Sequence, residues 1–122
     1  RKPTSSNRAA SVDIRRQLLA RIAELHATAD GAFVAATQTT DPEQSLAHRT
    51  AAHAARVEIL VVTLELASAV LLAGTPAQNV ATGSGISTAT LTRNNPPYMA
   101  GLRGHDLVQD PAAPYGWRVA AT

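Results

Sequence analysis

The sequence predicts a mainly α fold: long helices first, then a short helix–turn–helix and a small β-hairpin. Three observations carry this. Apolar residues recur at helical spacing before residue 74; a Gly-Ser-Gly break splits two short helical segments between Thr75 and Asn95; two short β-prone runs flank a proline-rich turn near the C-terminus. At 122 residues the chain fits one domain of ordinary size. It divides on composition into a basic, disordered arm over 1–10, a helical dimerisation region over 11–73, and a helix–turn–helix with hairpin over 74–122.

The arm is polar and contains Ser and Pro. Ser11 then reads as an N-cap and Asp13 as a first-turn acid. Ile14, Leu18, Ile22, Leu25 and Ala29 follow in steps of three and four, which predicts an amphipathic helix over about 12–29 that Asp30-Gly31 ends. Residues 32–40 read as a short turn and loop. Asp41-Pro42-Glu43 is a helix start: cap, proline at the first position, acid in the first turn. No breaker follows until Gly74. Along this helix Leu46, His53, Val57, Leu60, Leu64, Ala67 and Leu71 form one stripe, and Ile59, Val62, Leu66 and Val70 a second. A helix apolar on two faces needs cover on two sides, which predicts a homodimer with this helix at its centre.

In Thr75 to Asn95, Thr75 is the expected cap of one helix with Pro76 at its first position, and Ser87 the cap of the next. Val80, Ile86 and Leu91 are placed to pin both helices to a core, leaving Ser87, Thr88, Thr90, Arg93 and Asn94 facing out. This is the layout of a helix–turn–helix whose second helix enters a DNA major groove. Pro96-Pro97 ends that second helix, and Tyr98 to Gly104 reads as a further helical turn. Leu107 to Gln109 and Gly116 to Ala120 read as strands around the Asp110 to Pro114 turn.

Charge is unevenly spread. Residues 1–21 carry six Arg or Lys against Asp13; residues 22–73 carry two Arg against six acids; residues 74–122 carry three Arg against two Asp. The basic start and the C-terminal part suit a polyanion and the acidic middle does not. The absence of cysteine excludes a disulfide framework and thiolate chemistry. No signal peptide is visible. Val57 to Ala73, the most apolar run, contains Glu58 and Glu65 and falls short of a bilayer span, so no membrane partner and a cytoplasmic location are expected.

An enzyme is not expected. His48 and His53 are five apart, the wrong spacing for two ligands on one helical face; His26 sits beside an apolar stripe and reads as structural. Ser84 lies in Gly-Ser-Gly without the flanks of a nucleophile elbow, and the glycines lack the lysine of a phosphate loop. Glu58 and Glu65 could pair on a metal but more simply cap a polar strip or meet Arg56 or another chain's arginine, so no metal or cofactor is expected.

The segment G-I-S-T-A-T-L-T-R, Gly85 to Arg93, resembles the helix–turn–helix of Trp-repressor-like regulators, whose A-T-I-T-R helix is matched by Ala89 to Arg93. Ser87, Thr90 and Arg93 also match the S-x-x-T-V-S-R pattern of lac-repressor-type regulators. Leu107 to Val119 looks like the wing of winged-helix regulators of the MarR class. Asn94 stands where such motifs carry an apolar residue. The resemblance implies a winged helix–turn–helix regulator of transcription, acting as a homodimer on a two-fold operator in double-stranded DNA. The DNA-binding set would be Ser87, Thr88, Ala89, Thr90, Thr92, Arg93 and Asn94, with Arg103 and Arg118 reaching the flanking backbone or minor groove. Arg93 is the best reader of guanine. The long helices leave room for a small-molecule effector. The alternatives are a partition, replication or recombination accessory protein, and a helical dimerisation or adaptor module that binds no DNA.

Overall fold

A computed structural model describes residues 2–121. Arg1, counted above with the basic arm, lies outside the described residues. The fold is mainly helical with one small sheet. The first helix, α1, runs Ser5–Gln38, far longer than the expected 12–29. Its start is fixed by Thr4 and Asn7. The Asn7 N–H donates to Thr4 Oγ1 at 3.1 Å, and the Thr4 N–H donates to Asn7 Oδ1 at 3.2 Å. This is the reciprocal geometry of a capping box. Residues 5–10 are therefore helix rather than disordered arm, and Asn7 and Ala10 are fully buried. Ser11, expected as the cap, lies inside the helix and donates to the Ala69 carbonyl at 2.6 Å. Asp30-Gly31 does not end the helix; it passes through to Gln38, so most of the expected 32–40 loop is helical. The stripe is as expected: Ile14, Leu18, Leu25 and Ala29 are buried and Ile22 is half-buried.

The second helix, α2, spans Pro42–Leu72. Asp41 caps it, its Oδ1 accepting from the Glu43 N–H at 3.0 Å and its carbonyl from the Ser45 N–H at 2.9 Å. Gly74 ends the segment at φ +96°, where a Cβ would lie 2.5 Å from Pro3. Then come α3 (Ala77–Ser84), α4 (Thr88–Arg93), α5 (Pro97–Leu102), β1 (Leu107–Gln109), a 3₁₀ turn (Pro114–Gly116) and β2 (Trp117–Val119). The strands pair antiparallel, Leu107 with Val119 and Gln109 with Trp117.

The chain forms two compact units, and their boundary is not at residue 74. One holds the chain up to Leu18 together with everything from Leu64 on; the other is Leu19–Thr63, the distal parts of α1 and α2. The expected division at 10 and 73 fails because α1 and α2 each continue through both units.

In the Leu19–Thr63 unit the buried face of α2 is Ala52, Ala55 and Val62. The larger side chains read as a core stripe point elsewhere: Leu60 is 67 % exposed, Leu46 58 % and Val57 46 %. Small residues allow close helix approach and take the inside; the leucines are left outside. In the other unit the stripe turns inward at Ala67. No helix among the described residues is long and apolar enough to cross a membrane.

Candidate nucleic-acid interface

The site is built on α3, the turn after it, and α4. Gly85 closes α3 in the left-handed region at φ 74°, and its N–H donates to the Ala81 carbonyl at 2.9 Å. Glycine adopts that conformation without the Cβ penalty. Ser87 then caps α4, its Oγ accepting from the Thr90 N–H at 3.1 Å. Thr75 does not cap α3: Pro76 holds that position, its carbonyl accepting from the N–H groups of Asn79 and Val80, so α3 starts at Ala77. Val80 and Leu91 are buried with Ala67 of α2, and Val70, Leu71, Ala81 and Ile86 pack against them. These are the apolar positions expected to seat the two helices.

With Leu91 inward, Ala89, Thr92 and Arg93 are exposed on α4, as are the flanking Ser87 and Asn94. Thr88 and Thr90, expected to face out, are half-buried. The Thr90 hydroxyl is engaged locally: it accepts from Ser87 Oγ at 2.8 Å and lies 3.5 Å from an Arg93 guanidinium nitrogen. Asn94 turns back on its own helix, donating from Nδ2 to the Thr90 carbonyl at 2.9 Å. Thr92 does the same, its Oγ1 donating to the Thr88 carbonyl at 2.9 Å. Arg93 is the long, charged side chain that this surface presents.

Arg103 and Arg118 stand apart from α4 in the sequence of elements. Arg103 follows α5 and is half-buried. Arg118, on β2, donates from Nε to Asp110 Oδ2 at 3.0 Å, so its charge is matched within the hairpin. From Leu66 to His105 there is no Asp or Glu, while Arg93 and Arg103 lie within that span. A stretch free of carboxylates is compatible with a phosphate backbone.

The hairpin is docked on helices rather than projecting from them. Trp117 Nε1 donates to Asp13 Oδ2 at 2.8 Å, and Gln17 Nε2 donates to the Tyr115 carbonyl at 3.0 Å. The Tyr115 hydroxyl donates to Glu65 Oε2 at 2.6 Å, and Tyr98 donates to the Trp117 carbonyl. Burial beside Glu65, and the bond to its carboxylate, push the Tyr115 hydroxyl well above its ordinary value of 10.0. Glu65 thus meets a tyrosine rather than an arginine. Tyr115 holds φ 59°, a strained position for a residue with a Cβ. The sequence gives one signal for these anchors: Tyr98, Tyr115 and Trp117 are three of the four aromatic residues. Among the described residues no group of three or more His, Asp or Glu is placed to hold a metal. His26 is exposed on α1.

No protein-family model, curated protein or solved structure matches this chain.

Proposed function

We propose that the protein binds double-stranded DNA through α3 and α4, as a winged helix–turn–helix regulator of transcription. The observation that carries this reading is the α3–Gly85–Ser87–α4 arrangement. One helix is seated by Val80, the other by Leu91, and the outward side of the second bears Ala89, Thr92 and Arg93 with no carboxylate nearby in sequence. Arg93 either pairs with guanine O6 and N7 or clamps a phosphate. Ala89 packs on a thymine methyl, and Ser87 and Thr92 contact backbone oxygens. The hairpin takes the place of a wing. Its Arg118 exchanges Asp110 for a phosphate only at the cost of that ion pair, so its contribution is smaller than that of Arg93.

A homodimer completes the reading. It is supported by the exposed Leu46, Val57 and Leu60 on α2, spaced as one helical stripe. Two copies would place two α4 helices on half-sites about one helical turn apart. The same stripe also favours the adaptor reading, in which it binds a partner protein and α4 contacts nothing.

A binding assay on genomic fragments at about 50 and 200 mM salt, with wild type and Arg93→Ala, separates these readings. Wild type is expected to select fragments over bulk competitor. Arg93→Ala should weaken binding by about 1–3 kcal/mol with relaxed specificity if Arg93 reads a base, or reduce the salt slope by about one if it holds a phosphate. If wild type prefers no fragment over bulk competitor DNA, the regulator reading is wrong.

A further inference from the structure

In the unit that ends at Leu18 and resumes at Leu64, the two sides of the α1–α2 pair can be told apart. The helices meet where Ser11 donates to the Ala69 carbonyl. Asp13 and Glu65 both bond to the hairpin, so they mark one side. On α2, Ala67 and Val70 pack with α3 and α4, and they lie about 160° and 140° round the helix from Glu65. On α1, Arg8 and Arg15 lie about 140° and 160° round from Asp13. The buried line of α1, Ser11 and Ile14, runs between them and Asp13. Arg8 and Arg15 therefore share the side that carries α3 and α4. The start of the chain is held there too, because Pro3 packs on Gly74, three residues before α3 begins.

The charge on that side has one sign. Arg8 is exposed and Arg15 half-buried, and among the described residues neither pairs with a carboxylate. Arg15 Nε donates to the Ser11 carbonyl at 3.2 Å, and its NH2 groups remain as donors. Of the four Asp and Glu in this unit, Asp13, Glu65 and Asp110 are bonded at the hairpin, and Asp106 adjoins its first strand.

We propose that Arg8 and Arg15 form a second contact with duplex DNA, gripping backbone phosphates that flank the segment met by α4. The two stand two turns of α1 apart, about 10 Å along its axis. A duplex carries one charge per ~1.7 Å of its length, so phosphates come within reach of both whatever the sequence. Such an edge reads no base; it adds affinity and salt dependence. An anionic membrane fits less well. Between residues 5 and 18 the large apolar side chain left exposed is Val12, whereas an interfacial helix buries a whole apolar face. The partner class rests on the DNA-binding reading, but the edge does not need α4 to select a sequence.

The test measures affinity of the full chain for a random-sequence duplex and for its best genomic fragment, at about 50 and 200 mM salt. Each phosphate contact adds a slope of about 0.9 in log affinity against log salt. With Arg8→Gln and Arg15→Gln combined, the affinity lost between those salts should be about tenfold smaller than for wild type on either DNA. Arg8→Gln alone, at an exposed position, should lower the slope by about one, and Arg8→Lys should keep it. The preference for the fragment over random duplex should not change. Wild-type slopes in both glutamine variants would overturn the proposal and leave the regulator reading standing. Reduced slopes without preference for any fragment would uphold the edge and remove the regulator reading. No binding to duplex at the lower salt would overturn the proposal, as would tighter arginine-dependent binding to phosphatidylcholine vesicles with about 30 % phosphatidylserine.

Discussion

Asn7 ties the start of the chain to a segment almost a hundred residues away. Its Oδ1 accepts from the Gly104 N–H at 2.8 Å, and its Nδ2 donates to the His105 carbonyl at 2.8 Å and the Leu102 carbonyl at 3.3 Å. An apolar substitute of similar size strands the Gly104 and Thr4 N–H groups and takes one donor from each of the His105 and Leu102 carbonyls. Asn7→Leu is therefore expected to lower stability by about 3 kcal/mol or more in urea unfolding, and an unchanged midpoint would remove Asn7 from this role. Asp13 anchors the hairpin in a way that pH can read. The bond from Trp117 Nε1 holds its carboxyl below the ordinary 3.8, against the opposing cost of burial and with smaller help from Gln17 and Arg16. A carboxyl depressed in the fold contributes its stability above the unfolded value and loses it as pH falls through the folded value. Hairpin docking should thus be full at neutral pH and weaken below about pH 4. Trp117 is the only tryptophan, so its fluorescence follows this directly. Asp13→Asn should flatten the acid dependence; a wild-type slope in that variant would place the titration elsewhere.

At the scale of elements, what could be read in the sequence was what is settled locally. Asp41-Pro42-Glu43 announces α2 because a cap, a proline at the first position and a first-turn acid act within one turn. Gly85 and Ser87 announce the break before α4 for the same reason. The ends of α1 were not legible. Its true start rests on Thr4 and Asn7, and Asn7 is further fixed by partners brought close only by the fold. Its apparent stop at Gly31 is no stop, because one glycine costs a helix only about 1 kcal/mol and the turns on either side supply that. A prediction follows from that cost. A Cβ at Gly31 would meet nothing within 4 Å. Gly31→Ala should raise stability by about 0.5–1 kcal/mol, seen as a higher urea midpoint. A lower midpoint would mean that the glycine serves a bend or contact at that point. On α4 the motif positions were legible, but the inward lean of Thr88 and Thr90 was not. It depends on how Leu91 seats against Val80 and Ala67, which no spacing within six residues specifies.

For the whole molecule the open question is what covers α2 in the Leu19–Thr63 unit. The sequence revealed two apolar faces but not which one the chain itself would cover, since Ala52 and Ala55 look weaker than Leu46 and Leu60 and yet are the buried ones. The uncovered face is continuous with α1: Arg56 lies over the Phe33 ring at 5.6 Å, joining the two helices on one side, and Leu19, Phe33 and Val34 are exposed as well. A stripe from Leu46 to Leu60 is ~21 Å long. A stable dimer buries ~800 Å² per partner, so its interface would take in the α1 residues as well as the α2 stripe. Heptad spacing from Leu46 through His53 to Leu60 suits a second copy of the same helix. Leu60→Glu tests this cleanly. In a monomer the position is 67 % exposed, so the change should leave helicity intact and move stability by no more than about 0.5 kcal/mol. In a dimer it brings two carboxylates into a desolvated interface. Wild type is expected to sediment as a dimer at micromolar concentration and the variant as a folded monomer. That monomer should also lose the avidity of two half-sites, on the order of 100-fold in DNA affinity, whereas Arg93→Ala should weaken DNA binding and keep the dimer. A wild type that stays monomeric at concentrations on the order of 100 µM, far above those of a stable dimer of this size, would leave the leucine face to a different protein.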